Sequence, residues 1–99
     1  MNATEIRERI EKILAKEDYS VDEHGKIIFE YNEFFNFHDF LDQLSIIVAI
    51  EIEFCLDIDN IILEEVITKN KSDIENLISL VKMAINKKTP IEEPLLTSE

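Results

Sequence analysis

Residues 37–54 read FHDFLDQLSIIVAIEIEF, and the fold turns on whether this run is a strand or a helix. The β-branched cluster IIVAI and the alternation I-E-I-E-F favour a strand by local propensity. Length decides the other way, because strands rarely extend so far. The expected element is a helix from near Asp39 to Cys55, with Leu41, Leu44, Val48, Ile52 and Cys55 on one stripe. Phe40, Ile47, Ile50 and Phe54 widen that stripe. A helix this apolar is buried on most of its surface or meets a partner.

The flanking sequence supplies more helices. Thr4 or Asn2 can cap a first helix over about Thr4–Glu17, with Ile6, Ile10, Ile13 and Leu14 on one face. Asp59-Asn60 opens a short third helix, IILEEVI. After the polar connector TKNKSD, Ser72 with Glu75 three residues on is a capping-box signature. Ile74, Leu77, Ile78, Val81 and Ile85 give a last helix its stripe. Lys87 and Lys88 suit its C-terminus, and Pro90 is expected to stop it. Residues 18–37 form a long connection in which Gly25 marks a turn and KIIFEY reads as a short extended piece. Its Ile27, Ile28, Phe29, Phe34 and Phe35 suggest a lid packed over the core. The expected architecture is all-α, a small four-helix bundle over residues 1–88 with a flexible tail over 89–99.

Composition narrows function. The chain has 99 residues and a formal charge of −12, enough for one small domain. Residues 17–67 carry fourteen acidic side chains against the single cation Lys26. That surface argues against nucleic acid and anionic membranes and suits a partner with a basic patch. One cysteine, Cys55, excludes an intrachain disulfide and fits a reducing compartment, where it is expected as a small buried hydrophobe. The charged N-terminus lacks a signal-peptide pattern and the longest uncharged apolar run is too short to span a bilayer, so a cytoplasmic location is expected.

Catalytic and metal motifs do not emerge. DIDN at 57–60 opens like a calcium loop, but Ile62 and Thr68 stand where the loop needs glycine and the bidentate glutamate. His38 lies one helical turn from Asp42, yet His24 is the only other histidine, too few ligands for zinc. No Ser-His-Asp spacing, phosphate loop or glycine-flanked serine is present. An enzyme is not expected.

From Asp39 to Phe54 the run D-F-L-D-Q-L-S-I-I-V-A-I-E-I-E-F resembles, without a gap, the helix-2 motif of acyl, peptidyl and D-alanyl carrier proteins. That motif has the form D-S-L-(D)-x-V/L-x-L/I-V/I-x-A-L-E-x-x-F. The order of a first helix, a long loop, helix 2, a short third helix and a last helix is similar to that family over roughly residues 4–86. The resemblance implies a carrier-type bundle whose helix-2 serine is esterified by 4′-phosphopantetheine, at a helix N-terminus suited to phosphate. Here that position is Phe40, which has no heteroatom to phosphorylate. The resemblance therefore implies the fold and partner class, with no cofactor expected; Ser45, inside the helix, is the one weak alternative attachment site.

By the same resemblance, acids on this helix meet basic patches of partner enzymes. Asp39, Asp42 and Glu51 remain, whereas Ser45 and Ile52 replace usual acids. With Phe40 and Val48, Ile52 forms an apolar strip that is either core or a contact surface. The candidate partner-binding residues are Asp39, Phe40, Leu41, Asp42, Val48, Glu51 and Ile52. The expected partner is an acyl- or peptidyl-transfer enzyme of fatty-acid, polyketide or related metabolism, another carrier, or a second copy of the chain. An unrelated acidic helical adaptor is the alternative from a different class.

Overall fold

The computed structural model describes the backbone of residues 1–67 and 71–97 and the side chains of 1–66 and 71–87. Residues 68–70 of the TKNKSD connector lie outside the described residues. The chain is mostly helical: α1 (Ala3–Lys16), α2 (Phe40–Phe54), α3 (Asn60–Ile67) and α4 (Asp73–Thr97), with strands β1 (Tyr19–Val21) and β2 (Ile27–Phe29) between α1 and α2.

Each helix starts where a short polar side chain satisfies its first N–H groups. Asn2 caps α1, accepting from the Glu5 N–H at 2.8 Å. Asp39 caps α2, accepting from Leu41 and Asp42 at 3.0 and 3.5 Å. The Asp59 carboxylate accepts from the Ile62 N–H at 2.9 Å before α3, and the Ser72 hydroxyl accepts from the Glu75 N–H at 3.4 Å before α4. The stripe Ile6, Ile10, Ile13 and Leu14 of α1 is buried against α2 and α4, and α4 adds Ile74, Leu77, Leu80, Val81 and Ala84. α3 closes the core through Ile62 and Val66.

The expected all-α class needs correction, because the 18–37 connection holds a two-stranded antiparallel hairpin. Tyr-Ser-Val, which the helical reading passed over, pairs with Ile-Ile-Phe in the register Tyr19↔Phe29, Ser20↔Ile28 and Val21↔Ile27. Between the strands the Asp22 carboxylate accepts from the His24 and Lys26 N–H groups, each at 2.9 Å. The Lys26 N–H, ahead of the opposing desolvation, holds Asp22 below its ordinary carboxylate pKa. Gly25 has φ +79°, and a Cβ there would sit 2.6 Å from the Ser72 Oγ. Only glycine meets both conditions without strain.

The hairpin is pinned to the start of α4. The Ile74 N–H donates to the Gly25 carbonyl at 3.0 Å, and the Ile27 N–H donates to the Asp73 carboxylate at 2.9 Å. As expected of a lid, Ile27 and Phe35 are buried and Phe29 is partly so. Ile28 and Phe34 instead face solvent, because strand alternation and the following turn direct them outward.

Two further expectations change. α4 does not stop at Pro90; its backbone stays helical to Thr97, past Pro90 and Pro94. Each proline removes one N–H from the ladder, and helix formers such as Glu92, Glu93, Leu95 and Leu96 flank them. Cys55 is exposed rather than buried, since it occupies the left-handed C-cap of α2 (φ 53°), where the chain turns out of the helix. On α2, the stripe of Leu41, Leu44, Val48 and Ile52, for which both a core and a contact reading were open, is not the buried face.

Candidate functional site

The buried face of α2 is Gln43, Ile46, Ile47 and Ile50, joined by the part-buried Phe54. Leu41, Leu44, Val48 and Ile52 lie on the opposite side, at the i, i+3, i+7, i+11 spacing of a second apolar stripe. Leu41 and Ile52 are each 74% exposed, Phe40 62%, Val48 46% and Leu44 41%. The strip is thus a solvent-facing surface. α2 carries two apolar stripes, and the one interrupted by Gln43 is the one that faces the core.

The sequence-predicted residues fall together along this surface. Phe40 is the first residue of α2. It exposes a ring at the position where the resemblance implies a serine, so the chain offers no hydroxyl there to carry a phosphodiester. Phosphopantetheine does not fit the site. Ser45, the alternative attachment site, lies well inside α2; its Oγ is 3.0 Å from the Tyr19 hydroxyl, and it donates to the Asp42 carbonyl at 3.5 Å. A helix interior offers no unpaired N–H groups for a phosphate.

The acids have separate local tasks. The Asp39 carboxylate caps the helix, and that of Asp42 accepts from the Asn36 N–H at 3.2 Å. Glu51 accepts from the Ile58 N–H at 2.9 Å and so fixes the turn between α2 and α3. Glu53 is engaged by Arg9 of α1, whose Nη2 donates to the carboxylate at 2.9 Å and to the Glu53 carbonyl at 3.0 Å. The Arg9 guanidinium also lies 4.3 Å from the Phe54 ring centre, a cation–π contact that closes the α1–α2 seam. Asp39, Asp42 and Glu51 therefore leave net negative charge along the strip, and neither α2, residues 55–59 nor α3 contains a cation.

Sequence reasoning missed a depression of about 100 Å³ between α2 and α3. Phe40, Leu44 and Val48 form its wall on α2; Ile58 and Leu63 close the far side, with Gln43, Glu51 and Asn60 as its polar lining. The Gln43 Nε2 is buried and has no hydrogen-bond acceptor. Glutamine on the inward side of an otherwise aliphatic helix was the available signal. His38 and Asp42 do not converge: His38 Nε2 lies 3.2 Å from the Asp73 carboxylate instead. Among the described residues, no group of three or more His, Cys, Asp or Glu side chains is placed to hold a metal, and no helix is long and apolar enough to cross a membrane.

Comparison of the chain with known protein families, with characterised proteins and with solved structures found no match in any of the three.

Proposed function

We propose that this chain is a small helical binding module of acyl-carrier type that lacks the phosphopantetheine arm and works by docking a protein partner on the outer face of α2. One observation carries the reading: five large apolar side chains, Phe40, Leu41, Leu44, Val48 and Ile52, stand exposed in a row on a single helix. Soluble surfaces seldom keep such a contiguous apolar row without a contact to make. The order α1, long connection, α2, short α3, α4 supports a four-helix carrier-type bundle decorated by a hairpin. The Asp39–Phe54 motif supports the same partner class, namely acyl- or peptidyl-transfer enzymes of fatty-acid, polyketide or related metabolism, met by their basic surfaces. The module binds and does not catalyse.

A second copy is a poorer occupant than a basic protein. An α2-to-α2 pairing would bring two rows of Asp39, Asp42 and Glu51 together between chains of charge −12 each. Sedimentation across a concentration series should therefore find a monomer. The test of the reading itself is direct. The protein is incubated with coenzyme A and a broad-specificity phosphopantetheinyl transferase, and its intact mass is recorded. An unchanged mass is expected; gain of the arm, mapped to Ser45, would establish a working carrier instead.

A further inference from the structure

The groove between α1 and α2 runs against the acidity of the chain. It measures about 560 Å³, and Ile52 is both its outer rim and the last residue of the exposed strip. Buried Ile13 and part-buried Ala49 form its floor. Arg9, Lys12 and Lys16, at i, i+3 and i+7 on α1, make the opposite wall, and Glu17 and Glu53 complete the lining. These charges are not equally available. Arg9 is committed to Glu53 and to the Phe54 ring, and Glu17 is the C-cap of α1. Among the described residues, Lys12 and Lys16 form no ion pair or hydrogen bond. Arg9 and Glu53 cancel and Glu17 offsets one ammonium group, so the groove keeps one surplus positive charge on a chain of −12. Metabolite pockets are lined mainly by apolar side chains. Here five of the eight lining residues are charged and one wall opens onto the strip, so the groove continues the docking surface. On the other side of the strip the depression beside α3 is lined by Glu51 and has no cation. The C-terminal half of the strip therefore runs between a cationic flank on α1 and an anionic one beside α3.

We propose, resting on the docking role assigned to α2, that this groove receives an acidic side chain of the partner, its carboxylate held by the Lys12 and Lys16 ammonium groups. The partner's contact surface is apolar at its centre and acidic on the edge that faces α1, and its basic groups meet Asp39, Asp42 and Glu51. Lys12 and Lys16 stand one turn apart, about 6 Å along the helix axis, and their flexible stems bring both ammonium groups within reach of one carboxylate. A lysine or arginine in that place would face two like charges. An apolar residue would cover Ala49 and Ile52 but draw two unpaired ammonium groups out of water. An amide or hydroxyl would accept from them without neutralising the surplus charge. Glu17, beyond Lys16, disfavours a second acid at that end.

The test uses the full chain and two synthetic helical peptides of identical composition and net charge. Both carry a leucine face and lysines elsewhere. One glutamate borders the leucine face in the first peptide; in the second it has traded places with a lysine on the far side. Both are titrated by calorimetry at about 0.15 M salt, where the Debye length of about 8 Å limits attraction by net charge. The first peptide is expected to bind roughly two- to thirtyfold more tightly, the range of two exposed ion pairs, and it alone should shift the Lys12 and Lys16 ε-methylene resonances. Lys12→Gln with Lys16→Gln should bring the ratio to one. Arg7→Gln with Lys82→Gln, an equal change of charge outside the groove, should leave it unchanged. Equal binding of the two peptides, a preference that survives the Lys12 and Lys16 changes, or one that the Arg7 and Lys82 changes also remove, would overturn the groove assignment while leaving docking on α2 intact. Failure of both peptides to bind, or binding that a Leu41→Lys and Val48→Lys double variant retains, would overturn the docking reading and this inference with it.

Discussion

Replacing Asp73 by alanine should uncouple the hairpin from α4. The Asp73 side chain is 7% exposed and faces two partners. Its Oδ2 accepts from the buried Ile27 N–H at 2.9 Å, and its Oδ1 lies 3.2 Å from His38 Nε2. In the alanine variant the Ile27 N–H has no acceptor and stays buried, because Ile27 itself is fully inside the core. A hydrogen bond to a charged group contributes about 1.5–3 kcal/mol. The half-exposed His38 contact adds about 0–1 kcal/mol. Loss of an acid from the first turn of α4 costs about 0.3–1 kcal/mol through the helix dipole. Relief of carboxylate burial offsets part of this, giving a net loss of roughly 2–4 kcal/mol. With an m-value of about 1–2 kcal/mol/M, the urea midpoint should fall by roughly 1–4 M. Asp73→Asn retains an acceptor and should lose less than half as much; His38→Ala should lose about 1 kcal/mol at most. Amide exchange at Ile27 should accelerate in Asp73→Ala ahead of that in α1. An Asp73→Ala midpoint within error of His38→Ala, or unchanged protection at Ile27, would refute the claim that this carboxylate holds the hairpin.

Asn76 is fully buried with both side-chain polar atoms unpartnered, so Asn76→Leu should raise stability by roughly 1–3 kcal/mol in a thermal melt. Gly25→Ala must place a Cβ at positive φ and against Ser72, so it should cost about 1–3 kcal/mol and lower the melting temperature without changing helix content by circular dichroism. Asp59 is held below its ordinary pKa of 3.8, first by the Lys87 ammonium and then by the Ile62 N–H. The folded state therefore holds this proton less readily than the unfolded one. Its contribution is fully present above pH 3.8 and is lost as pH falls toward the lowered folded value; Asp59→Asn should flatten that part of the acid-unfolding curve.

The helices were legible because their ends and faces are written locally. Asp39, Asp59 and Ser72 each precede a helix start, and the isoleucine stripe of α1 repeats at helical spacing. The hairpin was only half legible, since KIIFEY has strand character but its partner Tyr-Ser-Val spans three residues. What holds that pair in place comes from Asp73 and Ile74, more than forty residues away, which local periodicity does not register. For α2, the apolar pattern alone admits two orientations. Each of its two stripes is hydrophobic enough to face a core, so whether Leu41, Leu44, Val48 and Ile52 pack inward or form a contact surface stayed open. The inward stripe contains Gln43, whose cost no local rule predicts to be tolerated.

The orientation of α2 bears on the proposed function as well as on packing. If the uniform stripe faced inward, Gln43 would sit in solvent at no cost and α2 would present Ile46, Ile47 and Ile50 outward. The observed orientation is selected by α1, whose Arg9 grips Glu53 and its carbonyl, and by Glu51, which accepts from the Ile58 N–H. Both anchors fix the rotation of α2 about its own axis. The 18–37 connection does not cover the exposed stripe either: it is tied to α4 through Gly25 and Ile27, and it reaches α2 at Ser45 through the Tyr19 hydroxyl. Among the described residues, then, the segment best suited to act as a lid is committed elsewhere, while Leu41 and Ile52 remain three-quarters exposed. An apolar stripe held outward, against the hydrophobic drive to bury it, is the observation on which the proposed docking role rests.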